Sequence, residues 1–141
     1  MTDFPGEYFK LVNLEIISKV DAALRPLDLT CAQSDLLLFL KEHEQDETTI
    51  QDIGEHFHLK HPTIVGIIHR LESKGFVETT VSTRDRRCRI VHLTEKYTEV
   101  HRVMSEMRQT LDSCSSQGFS DEELLLLRQF LQRIYRNLSQ A

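Results

Sequence analysis

Residues 49–75 read TIQDIGEHFHLKHPTIVGIIHRLESKG, and this stretch decides the fold. Thr49 is suited to cap a short helix that runs to about Phe57. After a tight connection, Pro62 is suited to the first position of a second helix, and Gly75 provides a left-handed stop for it. Two short helices joined by a turn are typical of a helix-turn-helix motif. The second helix would turn an apolar stripe inward: Ile64, Ile67, Ile68 and Leu71.

The residues that follow Gly75 predict a β-hairpin. Residues 76–81 and 89–93 are rich in Val, Thr and Ile, which favour strands. Four arginines lie within six residues around the hairpin tip, and they repel one another unless something anionic meets them. Asp85 can pair with only one or two of them. A hairpin after a helix-turn-helix predicts a winged helix, whose wing carries Arg84, Arg86, Arg87 and Arg89.

Two helices are predicted before the motif. The apolar residues of the first recur at spacings of three and four, and Pro26 then stops this helix. Thr30 and Gln33 form a predicted capping box that opens the second helix, which runs to about His43 and precedes a polar loop at residues 44–47. The stripe of the first helix comprises Phe9, Val12, Ile16, Val20 and Ala23.

Two longer helices are predicted after the hairpin. Thr94 is suited to cap the first, which residues 115–118 break, and a capping box at Ser120 and Glu123 opens the second. Both repeat apolar residues at alternating spacings of three and four, as in heptads that bury a seam, so we expect a homodimer through both chain ends. The alternative is packing on their own domain only. The stripes are Val100, Met104, Met107, Leu111 and Cys114, then Leu124, Leu127, Leu131, Ile134 and Leu138.

The predicted fold is therefore mainly α with a small β-hairpin wing. A winged helix-turn-helix DNA-binding domain would occupy residues 29–95. It would be flanked by an N-terminal helix at residues 1–28 and by C-terminal helices at residues 96–141, which together form the dimerisation region. A chain of 141 residues fits one compact unit with such helical extensions.

The charge of the chain is unevenly distributed. The whole chain carries −5, but residues 56–92 contain seven basic and three acidic residues and therefore carry +4, which leaves −9 for the rest. Phosphate contacts act over about one Debye length, roughly 10 Å, so the local charge is what a polyanion meets. The distribution favours double-stranded DNA as a partner; a solvated basic face is the alternative.

Several classes of protein are disfavoured. No apolar run approaches the roughly 18 residues of a membrane span, and the first ten residues lack the charge pattern of a signal peptide. Cys31, Cys88 and Cys114 include no Cys-x-x-Cys pair, which favours a reducing compartment, the cytoplasm, over a disulfide framework or a zinc site. There is no glycine-rich phosphate loop, recognisable nucleophile or His-Glu-x-x-His spacing. We therefore predict no enzyme activity, no cofactor, no metal and no membrane partner.

The candidate DNA-binding residues lie on the second helix of the motif and on the wing. Such a helix reads base edges in the major groove with its N-terminal part, and a wing arginine fits the narrow minor groove. Thr63 can hydrogen-bond a phosphate or a base, and Val65 can meet a thymine methyl. Arg70 could instead pair near Glu72 on its own surface. The predicted residues are Lys60, His61, Thr63, Val65, His69, Arg70, Arg84, Arg86 and Arg87.

Six short motifs share the order and spacing of a known family: Leu29–Gln33, Ile53–Glu55, Pro62–Val65, Arg70–Val77, Asp85–Arg87 and Leu93–Glu95. Over about residues 27–97 the chain resembles the MarR family of transcription regulators. The resemblance implies a triangular homodimer whose winged lobes each bind one half of a pseudo-palindromic operator. It also implies a repressor that is released by a small aromatic or phenolic ligand, bound between dimer region and winged lobe, or by oxidation of a cysteine.

The resemblance further implies that Asp85 braces the wing by pairing with Arg87, so Asp85 joins the predicted site, while Arg86 approaches the minor groove. Two residues depart from the family pattern. Gly66 stands where a polar or basic residue is common, which costs roughly 1 kcal/mol of helix stability against alanine and removes a side chain that could read bases. Thr79 stands where arginine is usual, which would loosen a phosphate or wing contact.

Two alternative functions stay open at the level of sequence. One is a winged-helix module that binds a protein partner, which Gly66 and Thr79 favour. The other is a redox switch that uses Cys31, Cys88 or Cys114, although oxidant-sensing members of the family carry their cysteine in the first helix, where none of these lies. The sequence names neither the operator nor the effector.

Overall fold

The computed structural model describes residues 3–141 and has the predicted composition of helices and one hairpin, which confirms the fold class. The chain divides into two compact units, one that extends to Met107 and one from Arg108 to Ala141. No helix of the described part is both long and apolar enough to cross a bilayer. The elements are α1 (Glu7–Leu24), a 3₁₀ turn (Arg25–Leu27), α2 (Cys31–Glu42), α3 (Ile50–Phe57), α4 (His61–Ser73), β1 (Val77–Val81), β2 (Arg89–Leu93), α5 (Tyr97–Ser115) and α6 (Asp121–Ser139).

Three helices begin at the predicted caps. Thr30, Thr49 and Ser120 each accept a hydrogen bond from the backbone N–H three residues later, and in each case the side chain at that later position accepts one from the cap's own N–H. The predictions for Thr30 with Gln33 and for Ser120 with Glu123 are thereby confirmed. Each cap satisfies backbone donors that the first turn of a helix leaves unpaired.

The Thr94 hydroxyl accepts from the Lys96 N–H (3.3 Å), as a cap does, and it also donates to the Gly75 carbonyl (2.6 Å). The helix α5 itself begins at Tyr97, later than predicted. Pro62 likewise lies one position further into α4 than predicted, since the helix starts at His61 with Lys60 as its N-cap. Both shifts lie within the usual uncertainty of helix ends.

The end of α4 is a tight reversal into the wing. Gly75 adopts φ +83°, so its N–H bonds the Glu72 carbonyl and the next N–H, of Phe76, bonds the Leu71 carbonyl. Phe76 is fully buried and belongs to this cap and not to the strand, which is why β1 begins one residue later than predicted. The reversal fixes the start of the wing against the end of the helix.

The core of the first unit lies where α2, α3, α4 and the hairpin meet. The two strands pair antiparallel, with Val77 opposite Leu93 and Val81 opposite Arg89. An isolated bridge joins Thr49 to Ile90, so the start of α3 extends the edge of the hairpin. Of the predicted inward stripe of α4, Ile67 is half-buried and the other three members are buried. The fully buried side chains are Leu24, Leu37, Ile53, Ile64, Leu71, Phe76, Val77 and Val100.

Two helices expose most of their apolar residues. In α1 only Val20 and Leu24 are buried, and the predicted stripe members Phe9, Val12 and Ile16 are exposed. In the second unit, α6 has no buried residue. Its exposed large apolar side chains are Leu125, Leu126, Leu127, Phe130, Leu131, Tyr135 and Leu138.

The glycine in the middle of α4 yields a first prediction. Apart from its chain neighbours and its own helix backbone, a Cβ atom at Gly66 would meet no atom within 4 Å. Gly66→Ala should therefore raise the free energy of unfolding by about 1 kcal/mol, because alanine loses less backbone entropy in a helix. Gly75→Ala should lower it by about 1–2 kcal/mol, because φ is positive there. Urea unfolding followed by circular dichroism measures both. A loss of stability in Gly66→Ala would contradict the prediction.

Candidate nucleic-acid interface

The outer side of α4 carries the residues predicted to read DNA. Ile64, Ile68 and Leu71 are buried, so the opposite side of the helix is turned to solvent. His61 and Val65 lie one turn apart and Val65 is 39% exposed. The structure places every predicted residue of this region on the exposed surface: Lys60, His61, Thr63, Val65, His69 and Arg70.

The tip of the wing is a compact turn held by its own hydrogen bonds. The buried Ser82 hydroxyl accepts from the N–H groups of Arg84 (3.2 Å) and Asp85 (3.4 Å), and the Ser82 N–H donates to the Cys88 carbonyl (2.9 Å). The Cys88 N–H closes the turn onto the Asp85 carbonyl (2.9 Å). This framework leaves the arginine side chains free to project from an ordered loop.

The ion pair that the resemblance implies is present. Arg87 donates to Asp85 three times: from its backbone N–H and its Nε to Oδ1 (3.0 and 3.2 Å) and from Nη2 to Oδ2 (3.4 Å). The hydrogen bond from the Arg87 backbone, followed by that from its side chain, lowers the pKa of the Asp85 carboxyl. Within residues 3–141 neither Arg84 nor Arg86 has an ion-pair partner. The tip of the wing therefore presents Arg84 and Arg86 as unpaired cations beside the neutralised pair of Asp85 and Arg87.

A chain of hydrogen bonds that the sequence did not reveal crosses the base of the wing. Both the N–H and the hydroxyl of Thr79 donate to Glu72 Oε2 (3.1 and 2.8 Å), and the same hydroxyl accepts from Nη2 of Arg89 (2.6 Å). Arg89 belongs to the arginine group noted in the sequence, but it was not among the predicted site residues. Only the cross-strand register brings it to Thr79.

The exposed side of α4 and the wing, which we call the two arms of the site, border one cleft of about 740 Å³. Its walls are α3, the N-terminal half of α4 and the start of β2. Among the predicted residues the cleft brings together His61, Val65 and Arg87, and it adds Arg89, which was not predicted. The remaining predicted residues lie outside its walls: Lys60, Thr63, His69, Arg70, Arg84, Asp85 and Arg86.

The thiols and metal-binding groups offer no second site in the described part of the chain. No group of three or more His, Cys, Asp or Glu side chains there could hold a metal ion. Cys31 and Cys88 are half-buried and Cys114 is exposed, and all three are free thiols. Burial, followed by the charges of Asp35 and Asp21, raises the pKa of the Cys31 thiol, which lowers its reactive thiolate fraction.

The Asp85 carboxyl yields a second prediction. Because its pKa is lowered in the folded protein, the bracing of the wing is complete above the ordinary aspartate pKa of about 3.9 and is lost as pH falls through the lower folded value. An NMR titration of the Arg87 amide should give a midpoint below about 3.9. Arg87→Ala should keep part of the shift, because its backbone N–H is the largest cause. A midpoint at or above the ordinary value in the unaltered protein would refute the prediction.

Known proteins resemble this chain in both sequence and fold. Residues 27–87 match the sequence model of the MarR family. The chain is 27% identical over 136 residues to the HTH-type transcriptional repressor IacR of Pseudomonas putida, across 96% of this chain and 80% of IacR. It resembles MepR, a transcription regulator of the Staphylococcus aureus multidrug efflux pump MepA, with a TM-score of 0.81 and 25% identity over 96% of this chain and 99% of MepR.

A structure of the S. aureus MepR–DNA complex also matches, with a TM-score of 0.73 and 22% identity over 96% of each chain. The relatives are transcription regulators and not enzymes, which confirms the prediction on enzyme activity. The family match covers α2, the helix-turn-helix, β1 and most of the wing tip, and it ends before β2. The likeness of fold extends over nearly the whole chain. Residues 27–87 of this chain are therefore similar in sequence to the MarR family of winged helix-turn-helix transcription regulators.

Proposed function

We propose that this protein is a repressor that binds a pseudo-palindromic operator in double-stranded DNA as a homodimer and is released by a small phenolic ligand. The observation that carries the proposal is the cleft whose two arms are the exposed side of α4 and the arginine-rich wing. These arms hold the +4 region of a chain that carries −5 overall. IacR is a repressor and MepR is known in complex with DNA, and both support the proposal.

The exposed side of α4 enters the major groove in this proposal. Thr63 and Val65 meet base edges, since a hydroxyl serves as donor and acceptor and valine methyls suit a thymine methyl. Lys60 and His61 at the N-terminus of the helix, and His69 and Arg70 further along, contact the sugar–phosphate backbone. The positive end of the helix dipole at this N-terminal turn also favours a phosphate there.

The wing enters the adjacent minor groove. Arg84 and Arg86 are exposed and project from a turn that the Ser82 hydroxyl orders, so little entropy is lost when they bind. The minor groove has the most negative potential where it is narrow, which favours an arginine over a neutral side chain. Arg87 keeps its ion pair with Asp85, which stabilises the turn.

The exposed apolar residues of α1 and of α6 support a homodimer. Burying one leucine or phenylalanine side chain contributes about 1.5–3 kcal/mol, and each helix exposes several at helical spacing. A two-fold dimer presents two α4 helices to half-sites about one helical turn apart, which requires an inverted repeat. In this proposal residues 1–28 and 96–141 form the dimerisation region and residues 29–95 the DNA-binding domain.

The effector in this proposal is a small phenolic compound that favours a spacing of the two winged domains unsuited to the operator. Such a ligand acts only through a difference in its affinity for the two spacings. Adding salicylate as a simple phenolic probe to the operator complex should release the protein. The same buffer at equal ionic strength but without salicylate should not. A complex unaffected by phenolic acids would remove this part of the proposal.

Selection of duplexes from a random library tests DNA binding directly. We expect enrichment of an inverted repeat, with affinity that falls steeply as salt rises. Arg86→Ala should weaken binding to all duplexes and reduce the slope of log affinity against log salt by about one, because one phosphate-region cation is lost. An unchanged slope would exclude Arg86 from the interface. A library without enrichment would overturn the proposal and favour a protein partner.

Aspartate substitutions on the exposed apolar side of α6 test whether the protein is a dimer. The double variant Leu127→Asp, Leu131→Asp should sediment as a monomer and bind the operator about 100-fold more weakly or worse, because the two half-sites no longer bind jointly. Both side chains are more than 40% exposed, so the substitution spares the core. Gln132→Asp, also exposed on α6, is the matched control and should stay dimeric. A dimeric double variant would contradict the prediction.

A further inference from the structure

We propose that Arg89 binds a DNA phosphate between α4 and the wing tip, and that Thr79 positions it there. This inference rests on the proposed DNA binding and adds a contact that was not predicted. The observations are the hydrogen-bond chain from Arg89 through Thr79 to Glu72 and the place of Arg89 in the wall of the cleft.

The register of the hairpin puts Arg89 and Thr79 on one face. Arg89 lies opposite Val81, and Thr79 lies opposite Val91, so the two residues are diagonal neighbours on the same side of the sheet. Thr79 bonds Glu72 of α4 through both its N–H and its hydroxyl, so this face is the one turned toward α4. Arg89 consequently projects into the space between the helix and the wing.

The Thr79 hydroxyl holds the guanidinium without neutralising it. A hydroxyl has one proton, which goes to the Glu72 carboxylate (2.8 Å), so its lone pairs face Nη2 of Arg89 (2.6 Å). The carboxylate polarises the hydroxyl and strengthens this second bond. Within residues 3–141 Arg89 has no carboxylate within ion-pair distance. Its positive charge and the N–H groups not used on Thr79 stay available to an anion.

The proposed complex places a phosphodiester beside Arg89 as that anion. The cleft that Arg89 lines contains Arg87 on the wing, His61 and Val65 on α4, and one acidic residue, Glu55 of α3. In the proposed complex α4 lies in the major groove and the wing tip in the minor groove, so the strand that separates the grooves crosses this cleft. A planar guanidinium binds phosphate oxygens with two parallel hydrogen bonds, and a pre-positioned one loses less entropy in doing so.

The test uses the full-length protein and the duplex that the library selection yields. Arg89→Ala should weaken operator binding about tenfold or more and reduce the salt slope by about one. Thr79→Val keeps the arginine and nearly the same side-chain shape, so it should weaken binding several-fold with the salt slope almost unchanged. In the double variant, Thr79→Val should cost little further affinity, because a positioning residue has no effect once its arginine is absent.

Lys41→Ala is the matched control, since Lys41 is an exposed cation of α2 that pairs with Glu44 at the surface. It should leave both affinity and slope unchanged. Urea unfolding and sedimentation verify that each variant is folded and has the native oligomeric state. The inference is overturned, while the proposed function stands, if the unaltered protein binds the operator and Arg89→Ala has the same affinity and salt slope as Lys41→Ala. The same holds if Arg89→Ala loses only stability. If the unaltered protein binds no duplex, both are overturned.

Discussion

The orientation of α4 relative to the wing depends on the junction at Gly75 and Phe76. Gly75 reverses the chain with a positive φ, and Phe76 then fills the core completely while its N–H closes the last turn of α4. The same junction accepts two hydrogen bonds from Thr94: its N–H donates to the Phe76 carbonyl (3.0 Å) and its hydroxyl to the Gly75 carbonyl (2.6 Å). Two residues thus join the helix, both strands of the wing and the approach to α5. Any loosening here would alter the distance between the arms of the cleft.

A second set of contacts fixes the other side of this geometry. Thr49 both caps α3 and bridges Ile90 of the hairpin, so the first helix of the motif and the wing share an edge. The bonds from Thr79 to Glu72 join β1 directly to the last turns of α4. The wing is therefore held at its base from two directions, and only its tip, with Arg84 and Arg86, extends beyond these anchors. A rigid base with projecting cations loses little entropy when it meets a polyanion.

The features that the sequence predicted are those that depend on neighbouring residues. Capping at Thr30, Thr49 and Ser120 needs only a side chain and the N–H groups of the next turn, and the buried stripe of α4 needs only its spacing. The start of α5 lies later than predicted, and the hydrogen bond from the Thr94 hydroxyl to the Gly75 carbonyl joins residues distant in sequence, so neighbouring residues do not predict it. Arg89 was missed for a related reason.

The role of Arg89 depends on which residue of the opposite strand lies diagonal to it. The sequence composition predicts the register of a hairpin only approximately. Thr79 illustrates the same limit. As a departure from the family pattern it suggested a lost contact, whereas in three dimensions its hydroxyl connects a carboxylate of α4 to an arginine of β2. In the proposed interface Arg89, from the neighbouring strand, supplies the cation that position 79 lacks. Gly66 makes no contact that requires a glycine, because nothing other than its chain neighbours and its own helix backbone lies within 4 Å of its absent Cβ. If α4 reads DNA as proposed, the choice of bases falls to the residues that flank this gap, chiefly Thr63 and Val65, and a larger share of the affinity falls to the arginines of the wing.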